Sequence, residues 1–339
     1  MNSFAEKIYH LLKEKSRIVV VSHPNPDGDA LGSSLGLRRI LLSLGHEVYF
    51  VSPTNYSGLL AWIPDVDHTL CWEKTTQREQ INTLLASCHL LFCLDFNAIS
   101  RLEELGSRVK ESTAIKILID HHQQPEPFAD WLWSDTSYPS TSEMIFDLAD
   151  SWGMADSMDN ETAVCLYTGM ATDTGFFQYS NTRAHTLHVA SRLLALGVKP
   201  DIIADQIFHV FSEKRFRLFG HCMGQKLQLI MDGRVAFMTI SPKEAYIFNI
   251  QQGDTEGLVN YPFKIKGVQL CALFVEEKER IKISFRSKGN LDVNQYARTY
   301  FQGGGHVNAA GAKSIVPLAE TLALFTDTIH TIFTPIVNR

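Results

Sequence analysis

The stretch RIVVVSHPNPDGDA, residues 17–30, decides the architecture. Arg17–Ser22 is a β-branched apolar run with charge before it and turn residues after it, which is how a buried strand reads. Pro24, Asn25, Pro26 and Gly28 break the chain, and Ala30–Leu44 then carries apolar residues at helical spacing until Gly45 closes it. Strand, tight turn and helix in that order open a βαβ unit. Outward from it, Glu47–Val51, His89–Leu94 and Ala114–Ile119 read as further strands, with Thr76–Cys88 helical among them. Such continuous apolarity suits a sheet covered on both faces. Short crossovers then predict an α/β fold with a doubly wound parallel sheet.

Helical spacing continues over Ser140–Trp152, Asn160–Thr172 and Thr182–Leu196. Ser212–Leu229 repeats it and reads as a connector. Beyond it the pattern changes: Val235–Ile240, Val268–Val275 and Ile281–Arg286 are strand-like, with a turn at Asp232-Gly233 and a closing helix over Leu318–Phe333. This predicts a smaller mixed α/β unit. The expected division is a first domain over 1–185, a helical linker over 186–231 and a second domain over 232–339. The boundary is open anywhere from about 185 to 231.

Bulk properties limit the function. A chain of 339 residues that is 45% hydrophobic and 20% charged has the balance of a soluble protein with two cores. Its net charge is −6, unevenly spread: from Asp232 onward 12 basic side chains face 10 acidic ones, and before it 19 face 27. An acidic front half argues against gripping long duplex DNA, which needs clustered lysine and arginine. A small phosphorylated ligand remains compatible if bound cations cancel carboxylates. The first fifteen residues alternate apolar and charged positions without the layout of a signal peptide, and no run approaches the ~18 apolar residues of a membrane span. The cytoplasm is the expected location. The six cysteines lack a CxxC pair and read as small buried hydrophobes.

Four places put His or Asp just after an apolar run or helix, where a doubly wound sheet opens its ligand crevice. In the first, His23, Asp27 and Asp29 crowd a turn that Gly28 lets bend; helix capping by Asp27 or Asp29 is the plain alternative. The second is Asp95, directly after five apolar residues. The third is Asp120-His121-His122, continuing a buried strand. The fourth is Asp173, after the helix from Asn160. His23, Asp27, Asp29, Asp95, His121 and Asp173 supply two imidazoles and four carboxylates, donors suited to Mn²⁺, with Mg²⁺ or Co²⁺ as alternatives. Four negative charges also balance two divalent cations. Two such ions about 3.5–4 Å apart form a recognised arrangement for phosphoryl hydrolysis.

This ordered set resembles the four-motif signature of the DHH phosphoesterase superfamily. Gly303-Gly304-Gly305-His306-x-Asn308-Ala309-Ala310-Gly311 resembles the signature of its first type of associated C-terminal domain. Length and layout look like the branch of nano-RNases and 3′-phosphoadenosine 5′-phosphate (pAp) phosphatases. The resemblance implies that His23 and Asp27 hold one cation, that Asp29, His121 and Asp173 hold the other, and that Asp95 bridges them. It implies further that His122 faces the substrate phosphate, that Asp120 orients a neighbouring histidine, and that the active site lies in a cleft between the domains. Asp95, His122 and Asp120 are thus the expected catalytic set. Gly303, Gly304, Gly305, His306, Asn308 and Arg286 are expected to bind substrate, the glycines as a loop presenting N–H groups to phosphate and Arg286 as a planar clamp. A solvated charge at a strand end is the alternative for Arg286. Trp131 and Trp133 are expected to pack beneath the Pro-rich loop Pro125–Pro139, with stacking on a base as the alternative.

The expected activity is hydrolysis of short oligoribonucleotides to mononucleotides, of pAp to AMP, or of both. Cyclic or linear dinucleotide hydrolysis is the nearest alternative, and a nucleotide-sensing binding protein the non-enzymatic one. Short nucleotides are the expected partners; no membrane is required and a homodimer is allowed.

Overall fold

The computed structural model describes residues 2–208, 212–251 and 253–333, and forms two compact units, Met1–Val210 and Phe211–Arg339. In the first, chain order runs α1 (Asn2–Leu11), β1 (Arg17–Val21), α2 (Gly28–Ser43), β2 (Glu47–Ser52), β3 (Leu70–Cys71), α3 (Arg78–Ser87) and β4 (Leu90–Leu94). It continues with α4 (Glu104–Glu111), β5 (Ile115–Asp120), β6 (Trp131–Ser134), α5 (Thr141–Ser151), α6 (Asn160–Asp173), α7 (Ala184–Ala195) and α8 (Pro200–Phe208). The strands form one all-parallel sheet in the order β3-β2-β1-β4-β5-β6.

Alternate residues of each strand enter different cores. Ile18, Val20, Phe92 and Ile119 face α1, α2, α5 and α6, while Val19, Val21, Leu91 and Leu118 face α3 and α4. Both faces are buried, which explains the unbroken apolar runs. The strand order reverses between β1 and β4, so the crevice of such a sheet falls between their carboxyl ends.

Helices α2 and α6 approach closely because of glycines spaced four apart. A Cβ at Gly32 would lie 2.4 Å from the Cys165 carbonyl oxygen and 2.9 Å from the Gly169 nitrogen, and one at Gly28 would strike the Thr172 side chain. The helices run so that the start of α2 meets the end of α6.

In the second unit α9 (Glu213–His221) passes through a π-helical turn, Cys222–Lys226, into β7 (Gln228–Ile230). There follow β8 (Val235–Ile240), α10 (Pro242–Ile247), β9 (Leu270–Glu276), β10 (Ile281–Ser287), α11 (Val293–Tyr300), β11 (Gln302–His306), β12 (Ala309–Ser314) and α12 (Leu318–Thr328). The sheet order is β11-β12-β10-β9-β8-β7, with only the β8–β9 pair parallel, so the unit is mixed as expected. The helix expected over 212–229 stops early: Leu218, Phe219 and Cys222 enter this unit's core, and Gln228 starts a strand. The tryptophans pack against the core as expected, but from a strand rather than from beneath a loop. Trp131 and Trp133 belong to edge strand β6, half-buried, with Trp133 against Phe4 and Tyr138 and with Lys7 over Trp131.

Candidate metal centre

β1 ends one residue before Ser22, and His23 follows, 7% exposed. Its Nδ1 lies 2.9 Å from the Pro24 carbonyl oxygen. A carbonyl only accepts, so Nδ1 carries a proton, and it is Nε2 that offers a lone pair once the ring is neutral. That nitrogen lies 3.4 Å from Asp95 Oδ2 and 4.0 Å from Asp27 Oδ1. Asp27 also caps α2, accepting from the amides of Asp29 and Ala30 through Oδ1. Capping and cation-ligand geometry therefore coincide at this residue.

Asp95 follows β4 with a left-handed backbone, φ 63°, uncommon outside glycine and worth roughly 1–3 kcal/mol of local strain. The turn places its carboxylate, 2% exposed, between two imidazoles: Oδ2 faces His23, and Oδ1 lies 3.3 Å from His121 Nε2. His121 Nδ1 donates to the Tyr138 carbonyl at 3.2 Å, which fixes the same tautomer as in His23. Its Nε2 also lies 3.4 Å from Asp173 Oδ2 and 3.8 Å from Asp29 Oδ2. Asp29 is fully buried, its oxygens accepting from the first amides of α5, Thr141 at 2.6 Å and Ser142 at 2.9 Å. His122 Nδ1 lies 2.7 Å from Asp120 Oδ1.

The close approach of α2 and α6 brings Asp29, at the start of one helix, beside Asp173, at the end of the other. A carboxylate at a helix C-terminus opposes the macrodipole, so Asp173 stands where only a cation makes it comfortable. Burial pushes its carboxyl well above the usual range, reinforced by Asp29 and Asp27. Burial and Asp95 raise Asp29 to about 7. Asp95 behaves oppositely: burial works against its ionisation, yet hydrogen bonding to His121 and His23 holds it well below the usual range. Burial also disfavours a charged His121, but Asp95, Asp173 and Asp29 outweigh it and raise its pKa well above normal. The cluster thus retains protons that a cation would displace.

Two donor sets emerge, His23–Asp27–Asp95 and Asp29–His121–Asp173, each with ligand atoms within 4.8 Å of one another; Asp95, Asp120 and His122 form a third group. Oxygen and imidazole donors without thiolate fit hard divalent cations, and locked tautomers present lone pairs to them. All six expected ligand residues converge. The sequence did not flag the main-chain groups that hold them: the Pro24 and Tyr138 carbonyls and the Thr141 and Ser142 amides. The Ser140-x-x-Glu143 cap pattern before α5 was the available signal, and Ser140 does cap the helix.

The second unit departs from the expected glycine loop. Gly303, Gly304 and Gly305 lie in strand β11, opposite Ala312, Gly311 and Ala310. Tight pairing demands glycine here: a Cβ at Gly303 would lie 2.3 Å from the Gly311 carbonyl oxygen, and Gly305 has φ +150°. The Gly305 amide donates to Asn294 Oδ1 at 2.9 Å. Asn308 Nδ2 donates to Ser287 Oγ and the Gly289 carbonyl, tying the β11–β12 turn to the end of β10. Arg286 is half-buried on β10, directly opposite Ala309, and Ala309 is opposite His306 at the end of β11.

Fold and donor set together define a class: a doubly wound α/β protein whose sheet crevice could hold divalent cations. The chain belongs to the DHH family; residues 17–170 match the DHH family N-terminal domain and residues 239–334 the DHHA1 domain. The bifunctional oligoribonuclease and PAP phosphatase NrnA of Thermus thermophilus is 32% identical over 298 residues, covering 87% of this chain and 83% of that protein. The Bacillus subtilis protein of the same name is 29% identical over 300 residues, 87% of this chain and 88% of the relative. A crystal structure of an exopolyphosphatase-related protein from Bacteroides fragilis superposes with a TM-score of 0.92 at 34% identity, covering 98% of this chain and 96% of that one. Among the described residues no helix is long and apolar enough to cross a membrane.

Proposed function

We propose that the chain is a Mn²⁺-dependent phosphoesterase that hydrolyses short oligoribonucleotides to mononucleotides and 3′-phosphoadenosine 5′-phosphate to AMP. The observation that carries the reading is Asp95, whose two oxygens face two imidazoles belonging to separate donor sets. The names of the full-length relatives supply the substrate class. His23, Asp27 and Asp95 would hold one cation, and Asp29, His121, Asp173 and Asp95 the other. A bound pair would lower the pKa of water and neutralise charge growing on the phosphate.

The chain's own residues do the remaining work. The Pro24 and Tyr138 carbonyls keep both imidazoles in the ligating tautomer. Burial lowers the pKa of His122, so it meets the crevice neutral. An arriving phosphate dianion raises it, and with Nδ1 engaged by Asp120, Nε2 is the nitrogen that donates to a phosphate oxygen. We assign the chemistry to the first unit, Met1–Val210, and substrate grip to the second, Phe211–Arg339. In the second unit, Arg286 and His306 take a neighbouring phosphate, while Gly303–Gly305 and Asn308 build the strand and turn that carry His306. The test offers Mn²⁺-loaded protein pApA, longer oligoribonucleotides, pAp, cyclic di-AMP and polyphosphate, and ranks kcat/KM. Preference for cyclic di-AMP or polyphosphate over pApA and pAp would overturn the assignment.

A further inference from the structure

A buried polar cluster stands behind the centre. The turn before α5 and the first amides of that helix touch three ligand residues. The Tyr138 carbonyl accepts from His121, the Thr141 and Ser142 amides hold Asp29, and Thr141 Oγ1 donates to Asp95 Oδ1 at 3.0 Å. All of these fall on the His121 side, since Oδ1 is the Asp95 oxygen that faces His121. Among the described residues none of these bonds reaches His23 or Asp27.

The segment is gripped by Arg183, the residue before α7. Its Nη2 donates to Glu143 Oε1 at 2.5 Å and its Nη1 to Ser137 Oγ at 3.3 Å, while the guanidinium lies 4.5 Å from the centroid of the Tyr138 ring. Glu143 is fully buried in the first turn of α5. The Tyr138 hydroxyl donates to Asp147 Oδ2 at 2.7 Å, and His185 Nε2 meets the same carboxylate at 2.9 Å. Burying an ion pair is a poor route to stability, because desolvation offsets the attraction. A planar guanidinium that stacks and donates in two directions does fix geometry, which a lysine cannot reproduce.

We propose that Arg183 is a positioning residue for the Asp29–His121–Asp173 cation site. By holding Ser137, the Tyr138 ring and Glu143 together, it fixes the carbonyl that sets the His121 tautomer and the amides that orient Asp29. The inference rests on the two-cation reading above.

The test titrates Mn²⁺ into the full chain by calorimetry and by electron paramagnetic resonance of the free ion. Arg183→Lys keeps a positive charge against Glu143 but removes the flat stack and the Ser137 bond. In a His23→Ala background, where binding reports the His121 site, Arg183→Lys should weaken affinity about tenfold, the usual effect of losing a group that orients a ligand. In a His121→Ala background the same change should stay within about twofold, as for a distant independent position. Equal losses in both backgrounds, or none in the first, overturn the assignment. If circular dichroism shows that Arg183→Lys does not fold, Ser137→Ala, which removes the side-chain bond that Arg183 Nη1 makes to the segment, must show the same asymmetry. A wild-type stoichiometry of one ion per chain would sink the two-cation reading itself, whereas two ions without asymmetry would sink only the role of Arg183.

Discussion

Replacing Gly32 by alanine should damage a metal centre that Gly32 does not touch. The added Cβ would stand 2.4 Å from the Cys165 carbonyl oxygen and 2.9 Å from the Gly169 nitrogen, both backbone atoms that no rotamer change can move. A carbon and a carbonyl oxygen rest about 3.3 Å apart, so α2 and α6 must separate by roughly 0.9 Å. Overpacking of this kind costs about 1–3 kcal/mol, and alanine in a helix interior returns about 0.5–1 kcal/mol. The net loss is about 0–2.5 kcal/mol, centred near 1, which at that centre lowers the Tm of a unit this size by roughly 2–4 °C. The same separation carries Asp29 away from Asp173, and a displacement near 1 Å can reduce turnover by about 100-fold. Calorimetry, Mn²⁺ titration and kcat on pAp read out the three effects. Gly58→Ala, with nothing within 4 Å of its Cβ, should be silent. Gly36→Ala clashes with the movable Leu166 side chain and meets Cys165 Cβ at an ordinary 3.8 Å, so it should lower Tm while sparing Mn²⁺ affinity. If Gly32→Ala matches Gly58→Ala in both Tm and Mn²⁺ affinity, helix approach does not set the ligand geometry.

Asp95→Ala should leave the far-ultraviolet spectrum intact and remove binding at both cation sites, with turnover falling by orders of magnitude; full Mn²⁺-dependent activity would refute the shared-ligand role. Because Asp29 titrates at about 7 and Asp173 and His121 hold protons above their usual ranges, Mn²⁺ binding near pH 7 should release protons and weaken as pH falls. Calorimetry in buffers of different ionisation enthalpy measures that release, and no buffer dependence would contradict it. Burial opposes ionisation of Glu244, but His221, Ser241 and Lys226 bring its pKa down to about 2. Its stabilising contribution is therefore complete above the unfolded value near 4.5 and is lost as pH falls toward 2. Glu244→Gln should flatten acid denaturation over that window. Arg286→Ala should raise KM for pAp by roughly 10–100-fold, the loss of a charge-assisted hydrogen bond, while kcat changes little; a change confined to kcat would exclude a binding role.

Strands β1, β2, β4 and β5 were legible because burial on both faces forces unbroken apolar runs. Strand β3 has only two residues, and β6 interleaves tryptophans with an exposed Leu132, so neither shows that pattern. Strand β11 has three glycines between Gln302 and His306, too few side chains from which to read a period. Helix α4 is built mainly from charged and small residues around Leu105 and Val109, too few to announce a helix. The six ligand side chains were visible because each follows an apolar run or helix. The groups that aim them were not, since carbonyls and amides occur at every position. Only the fold decides that Tyr138 offers its oxygen to His121.

Asp27 and Asp173 will not drift alike. Asp27 terminates α2 whether or not a cation ever arrives, and a lineage that abandoned the chemistry would keep Asp, Asn or Ser there for the helix alone. Asp173 has no such second employment, because its charge works against the end of α6. Among diverged descendants, position 173 is therefore where loss of function leaves its earliest mark, and an acid at position 27 says little about whether the centre still operates.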